Sequence, residues 1–201
     1  MAEREATGEA VRAFLALDCP AAIRAELARL GSELSSMGIP MRRVAPEAMH
    51  LTLKFFGNLA PEDIRGVTEV MEEAAALYPP LSLSAKGLGA FPGFRNPRVV
   101  WVGLFGDTLL LEALAADLES RWPALGIAPE DRPFRGHFTV GRMKDRVSPE
   151  KMAKAMTRYG AFETPAFTAE ALTLYKSELL PGGPRYTVLA KAPLTGKPRE
   201  E

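Results

Sequence analysis

The chain has 201 residues, 47% of them hydrophobic and 25% charged, which is long enough for one substantial core or two small lobes and too short for two full-sized domains. Its 25 basic residues balance its 25 acidic ones, which excludes the global basic field behind non-specific nucleic-acid binding and leaves any polyanion to local charge. The single cysteine, Cys19, excludes an internal disulfide framework; with a charged start that lacks an apolar stretch and no membrane-length apolar run, the expectation is a cytoplasmic protein with no membrane partner.

Residues 1–10 and 195–201 read as flexible tails around one domain over 11–194. Val11 to Leu17 reads as a buried strand. Pro20, after the candidate caps Asp18 and Cys19, opens a helix with Ile23, Leu27, Leu30 and Leu34 on one face, ended by Gly38 and Pro40. Cys19 reads as structural, since nothing nearby activates it. A strand from His50 to Phe56 closes at Gly57-Asn58. Pro61 opens a helix carrying Ile64, Val67, Val70, Met71, Ala74 and Leu77, and Leu81, Leu83 and Ala85 alternate as a strand. The turn-rich Phe91 to Pro97 is either a linker or part of a substrate rim.

The order then repeats. Val99 to Leu104 is a strand, Gly106-Asp107 leads into a helix bearing Leu110, Leu111, Leu114, Leu118 and Trp122, and His137 to Arg142 is a strand. Ser148-Pro149 caps a helix with Met152, Ala155, Met156 and Tyr159. Phe167 to Tyr175 and Tyr186 to Lys191 are strands joined by the turn Pro181-Gly182-Gly183-Pro184. Phe14 precedes His50 by 36 residues and Trp101 precedes His137 by 36. We therefore expect an internal duplication, with repeats over about 11–96 and 97–194, building two lobes related by a pseudo-two-fold axis.

The only two histidines both occur in one pattern: His50-Leu51-Thr52-Leu53 and His137-Phe138-Thr139-Val140. Strand alternation puts each His on one face with its Thr and sends the apolar pair into a core. Imidazoles titrating near neutrality supply a general base and a general acid, and opposed placement suits in-line displacement at phosphorus. The Thr hydroxyls can donate to non-bridging phosphate oxygens. Arg42, Arg43 and Lys54 outnumber Glu47 around the first motif, and Arg132, Arg135, Arg142, Lys144 and Arg146 outnumber Glu130, Asp131 and Asp145 around the second. Parity places Lys54 with His50 and Thr52, whereas Arg142 joins His137 only if the strand bulges, for which Gly141 is the candidate cause. Without Cys or carboxylates at ligand spacing the pair makes a poor zinc site, so neither metal nor cofactor is expected.

These motifs resemble the 2H phosphoesterase superfamily. Phe14 to Asp18, Ala48 to Gly57, Arg98 to Gly103, His137 to Arg142, Leu174 to Ser177, Pro181 to Gly183 and Tyr186 look like the RNA 2′,3′-cyclic phosphodiesterases, also called 2′-5′ RNA ligases. The resemblance covers about residues 11 to 194. It implies a bilobal, internally duplicated α+β fold, with two mainly antiparallel sheets flanking a central cleft and helices outside. It also implies metal-independent hydrolysis of an RNA terminal 2′,3′-cyclic phosphate to a 2′-phosphomonoester. On that pattern His50 is the proton donor, His137 the proton acceptor, and Thr52, Thr139 and Arg142 hold the phosphate. Phe55, Lys54 and Tyr186 are candidate contacts to base or substrate. Phe56 departs conservatively from the usual Leu.

Two further readings compete: ligation of tRNA halves, the reverse reaction, and nucleotide binding without catalysis. Expected partners are RNA ends or nucleotides carrying the cyclic phosphate. The sequence leaves the oligomeric state open, with a monomer as the working expectation.

Overall fold

Strand β1 (Val11–Asp18) buries Leu15 and Leu17 on one face and turns Phe14, Ala16 and Asp18 to the other, the period of two that organises both sheets. The computed structural model describes residues 9–181 and 183–197. The remaining elements are α1 (Ala21–Ser36), β2 (Met41–Arg43), β3 (His50–Leu59), α2 (Asp63–Ala75), β4 (Leu81–Phe91), β5 (Val99–Gly106), α3 (Thr108–Arg121), β6 (Phe138–Met143), α4 (Pro149–Tyr159), β7 (Phe167–Ala169), β8 (Ala171–Leu180) and β9 (Gly183–Pro193). They form two wholly antiparallel sheets, β3-β1-β8-β9 and β2-β6-β5-β4-β7. This is the expected α+β architecture with one histidine motif per sheet. A single apolar cluster, from Leu15 and Leu27 through Met71 and Trp122 to Phe138 and Leu174, joins sheets and helices. No helix among the described residues is long and apolar enough to cross a membrane.

The lobes are not the two sequence halves. In the first half β1 pairs with the histidine strand β3, but the third strand, β4, leaves to pair with β5. In the second half β5 pairs with β6, and the third strand, β8, returns to pair with β1. Each repeat lends one strand to the other's sheet, so neither half closes a core alone. The register also corrects the 36-residue alignment: Thr52 faces Ala16 whereas Thr139 faces Trp101, so equivalent positions sit two residues away from that match. A two-residue step preserves the face, which is why Phe14 and Trp101 both still reach a histidine.

Other boundaries move for local reasons. β3 runs through Gly57-Asn58 to Leu59 because Gly57 takes a φ of +70° inside the strand and pairing with β1 continues. The expected strand 167–175 is broken at Glu170, with β7 and β8 in different sheets. Leu77 lies beyond the end of α2 and is exposed. Neither Asp18 nor Cys19 caps α1: the capping position is Pro20, without a side-chain cap. Ser148 does cap α4, accepting from the Lys151 N–H at 3.3 Å. Thr195 and Gly196, expected within a tail, donate backbone hydrogen bonds to the carbonyls of Ala75 and Tyr78; the rest of the expected tails lies mostly outside the described residues.

Both histidine strands bulge at the same place. Thr52 faces Ala16 but Lys54 faces Leu15, which leaves Leu53 without a partner; Thr139 faces Trp101 but Gly141 faces Val100, which leaves Val140 without one. One extra residue resets the alternation. Phe55 and Arg142, each five residues after its histidine, therefore return to the histidine face. The bulge residue is Val140, not Gly141. Gly141 instead permits the close approach of β2, since a Cβ there would lie 2.7 Å from the Met41 sulfur. Gly31 in α1 likewise leaves room for Val140, whose Cγ1 would lie 3.1 Å from a Cβ.

The same bulge overturns the expectation for Lys54. It turns inward at 4% exposure, and its ammonium meets Glu119 at 2.8 Å, the Ala128 carbonyl at 2.9 Å and Glu130 at 3.8 Å. Lys54 thus ties β3 to α3 and the segment after it, on the face turned away from His50. Removing one partner of a buried ion pair leaves the other charge uncompensated. Lys54→Ala is therefore expected to lose about 3 kcal/mol of stability in urea unfolding, while the KM of the folded variant stays at its wild-type value.

Candidate active site

His50 sits at the start of β3, with its ring N–H hydrogen-bonded to the carbonyl of Ala48. His137 directly precedes β6, and its Nδ1 lies 2.6 Å from the carbonyl of Arg135. In both motifs the imidazole is thus anchored to the carbonyl two residues back. For His137, an Nδ1–H donating to that carbonyl leaves Nε2 with its lone pair, the form a base needs. The anchor is a backbone group, so no residue type announces it.

Each imidazole is held by aromatic walls from neighbouring strands. Phe14 stacks on His50 at 4.4 Å and Tyr186 of β9 meets it edge-on at 5.1 Å; Tyr175 of β8 stacks on Phe14 at 5.2 Å. Around His137, Phe91 stands edge-on at 5.1 Å and Trp101 lies at 5.9 Å, with the Arg135 guanidinium 5.2 Å from the Trp101 ring. The segment starting at Phe91 thus contributes a wall of the site at its first residue. Thr52 and Thr139 share their histidines' faces, and among the described residues neither hydroxyl makes a protein hydrogen bond. Phe55 stands on the His50 face at 57% exposure, 5.9 Å from Phe14. Tyr186, a candidate substrate contact by sequence, is half-buried against His50 and positions that ring.

The two faces act on one another. β3 and β6 are in contact. Arg142, brought round by the bulge, bears electrostatically on both His137 and Tyr186. Burial raises the Tyr186 phenol above its usual range, while Arg142 and Arg12 pull it back.

Burial and charge pull differently on the histidines. Burial drives His50 down to about 4, opposed by the Ala48 hydrogen bond and by the Asp18 carboxylate, whose residue faces His50 across β1 and β3. Burial also lowers His137, and there Arg135 and Arg142 lower it further against the Arg135 hydrogen bond. Thus an anion favours the proton on His50 and cations disfavour it on His137. Asp18 is itself held by Tyr175, Thr173 and Lys191. Burial pushes the Cys19 thiol up to about 12, which leaves it an inert core residue. Among the described residues no three His, Cys, Asp or Glu side chains gather as a metal-holding group.

Of the residues singled out by sequence, the structure places His50, Thr52 and Phe55 on one histidine face and His137, Thr139 and Arg142 on the other. Tyr186 joins the first and Lys54 leaves it. Phe14, Trp101 and Asp18 carry no site assignment from the sequence, while Arg135 enters there only as one of the charges near the second motif and Phe91 only as the start of a segment read as linker or rim; the recurrence of Phe14 and Trp101 ahead of the histidines is the available signal for two of them.

The model of the family described as LigT like Phosphoesterase matches residues 17–101 and 108–186. An RNA 2′,3′-cyclic phosphodiesterase of Methanothermobacter thermautotrophicus is 34% identical over 177 residues, covering 88% of this chain and 95% of the relative. One of Aeropyrum pernix is 32% identical over 174 residues, covering 85% and 97%. Among solved structures, the protein TT0787 of Thermus thermophilus superposes with a TM-score of 0.75 at 28% identity, over 92% of this chain and 99% of that one. E. coli LigT complexed with 3′-AMP gives a TM-score of 0.75 at 27% identity, over 93% and 99%.

The depressed His50 has two measurable consequences. In an NMR titration its ring is expected to take up a proton near pH 4, well below the ordinary 6.5, and saturating inorganic phosphate should raise that midpoint. Because the unfolded chain binds this proton first, stability falls as pH drops from about 6.5 to about 4, by on the order of 3 kcal/mol for His50. Urea unfolding of His50→Gln should lack that share of the loss.

Proposed function

The chain belongs to the LigT-like phosphoesterases, and on that footing we propose that it hydrolyses the 2′,3′-cyclic phosphate at RNA ends to a 2′-phosphomonoester, using His50 and His137 as acid and base. The observation that carries the reading is the duplicated unit of imidazole, threonine and bulge. It offers two imidazoles and two threonine hydroxyls that make no protein hydrogen bond among the described residues, carried by β3 and β6, which are in contact. The names of the relatives above supply the substrate class.

In this reading Thr52 and Thr139 donate hydrogen bonds to the non-bridging oxygens, and Arg142 offsets the phosphate charge. His137, kept neutral by its burial and two arginines, takes a proton from water as the oxygen attacks phosphorus. The bond from phosphorus to O3′ breaks as His50 delivers its proton there. One proton goes from water to His137 and one from His50 to O3′, leaving a 2′-phosphate and a 3′-hydroxyl, and solvent resets the pair. His50 is neutral at pH 7 in the free protein, so its acid role rests on the phosphate anion restoring its proton, with Asp18 behind it. Phe55 offers an exposed ring on which a base can stack. Water at bulk concentration favours hydrolysis over 2′-5′ ligation.

Incubating RNA ending in 2′,3′-cyclic phosphate with the protein and EDTA should yield the 2′-phosphomonoester. His50→Ala or His137→Ala should lose roughly 10²- to 10⁴-fold in kcat. A 3′-phosphate product, activity abolished by EDTA, or full activity of either variant would each contradict the proposal.

A further inference from the structure

Resting on the activity proposed above, we propose that a run of unpaired cations at the far end of β6 holds the sugar–phosphate backbone of the RNA upstream of its cyclic end. The active site then takes an oligonucleotide chain in preference to a cyclic mononucleotide. The run begins where Arg42 of β2 pairs directly across from Arg142 of β6, an arrangement that Gly141 permits by letting β2 approach. Cross-strand partners share a face, so two like charges stand side by side. Such a pair costs stability when nothing offsets it.

Among the described residues nothing does. Elsewhere several cations have carboxylate partners, Arg29 with Glu26 and Glu33, Arg65 with Glu69, Arg121 with Asp117 and Glu73 and Arg185 with Glu178, while Arg12, Arg43, Arg132, Arg135, Lys154 and Arg158 are exposed without one among the described residues. Arg42, Arg142, Arg95, Arg98, Lys144 and Arg146 are all exposed, and among the described residues none has a carboxylate within ion-pair distance. The one acid beside them, Asp145, accepts from the backbone N–H of Arg146 at 2.7 Å. In a chain of zero net charge this excess is local.

The cations are also arranged around a space. Arg95, Arg98, Lys144 and Arg146 line a hollow of about 560 Å³ between the segment leading into β5 and the segment leaving β6. Backbone pairing ties its lining to the site. Arg142 faces Val99, the Met143 N–H donates to the Arg98 carbonyl at 2.9 Å, and the Arg98 N–H donates at 2.7 Å to the carbonyl of Phe91, whose ring stands against His137. At roughly 3.3 Å per strand residue Lys144 lies at most about 23 Å along the chain from His137, a reach that needs several linked nucleotides. No aromatic side chain lines the hollow, so it reads phosphate charge and not bases, which makes binding there indifferent to sequence.

The test compares 2′,3′-cyclic AMP with a short RNA ending in 2′,3′-cyclic phosphate, using wild type and Arg95→Gln/Arg98→Gln/Lys144→Gln/Arg146→Gln. Wild type should prefer the RNA through KM, and that preference should fall about 20- to 50-fold between about 50 mM and 200 mM salt, as expected for three or four neutralised phosphates on a single strand. The variant should lose the preference and its salt dependence while turning over cyclic AMP as before. Anisotropy of a labelled RNA with the same backbone reads the hollow without turnover, and wild-type salt dependence serves if the variant does not fold. Equal RNA affinity in wild type and variant, or equal salt dependence for both substrates, overturns the inference. Failure of wild type to cleave cyclic AMP and RNA alike counts against the proposed activity, and the anisotropy then decides the basic run by itself.

Discussion

The extra residue that both histidine strands carry three positions after the histidine governs the rest of the site. Strict alternation delivers a histidine and a threonine to one face, then sends the fifth residue after the histidine to the core. Leaving Leu53 and Val140 unpaired changes that parity, and Phe55 and Arg142 swing to the histidine faces while Lys54 and Gly141 turn away. The consequences differ between lobes because the inward residue differs. Lys54 ends in an ion pair with Glu119 that ties β3 to α3, whereas Gly141 leaves space for β2 and so sets Arg42 opposite Arg142. One backbone device, applied to two sequences, yields a stacking surface on one side and a cationic one on the other.

The exchange of third strands makes the lobes interdependent. β4 from the first half completes the second sheet, and β8 from the second half completes the first. Phe91 at the end of β4 therefore stands against His137, while Tyr175 of β8 stacks on Phe14 and Phe14 on His50. Each histidine is walled partly by a strand from the opposite repeat.

Burial lowers both imidazoles, while the charges beside them differ. Desolvation disfavours the cation at both, while Asp18 opposes that effect at His50 and Arg135 and Arg142 reinforce it at His137. The duplication supplies two like groups with unlike charged neighbours, Asp18 from β1 beside His50 and Arg135 and Arg142 from His137's own segment.

The sequence by itself determined most of the elements and the pairing of His50 with Thr52 and of His137 with Thr139, because alternation and helical spacing are local properties of a few residues, whereas the α+β class came from the family resemblance of the motifs. Ile23, Leu27, Leu30 and Leu34 announce α1, and Ser148-Pro149 announces the start of α4, for the same reason. Only the tertiary structure decided that Lys54 is a core ion-pair partner, that the bulge falls at Val140, and that Trp101 faces Thr139 two residues away from its apparent match. Register and bulges depend on hydrogen bonds between distant strands, which no window of sequence contains. The tertiary structure alone likewise placed β4 and β8 in each other's sheets, set Asp18 across from His50, and made Arg42 and Arg142 neighbours, since each pairing joins residues far apart in the chain.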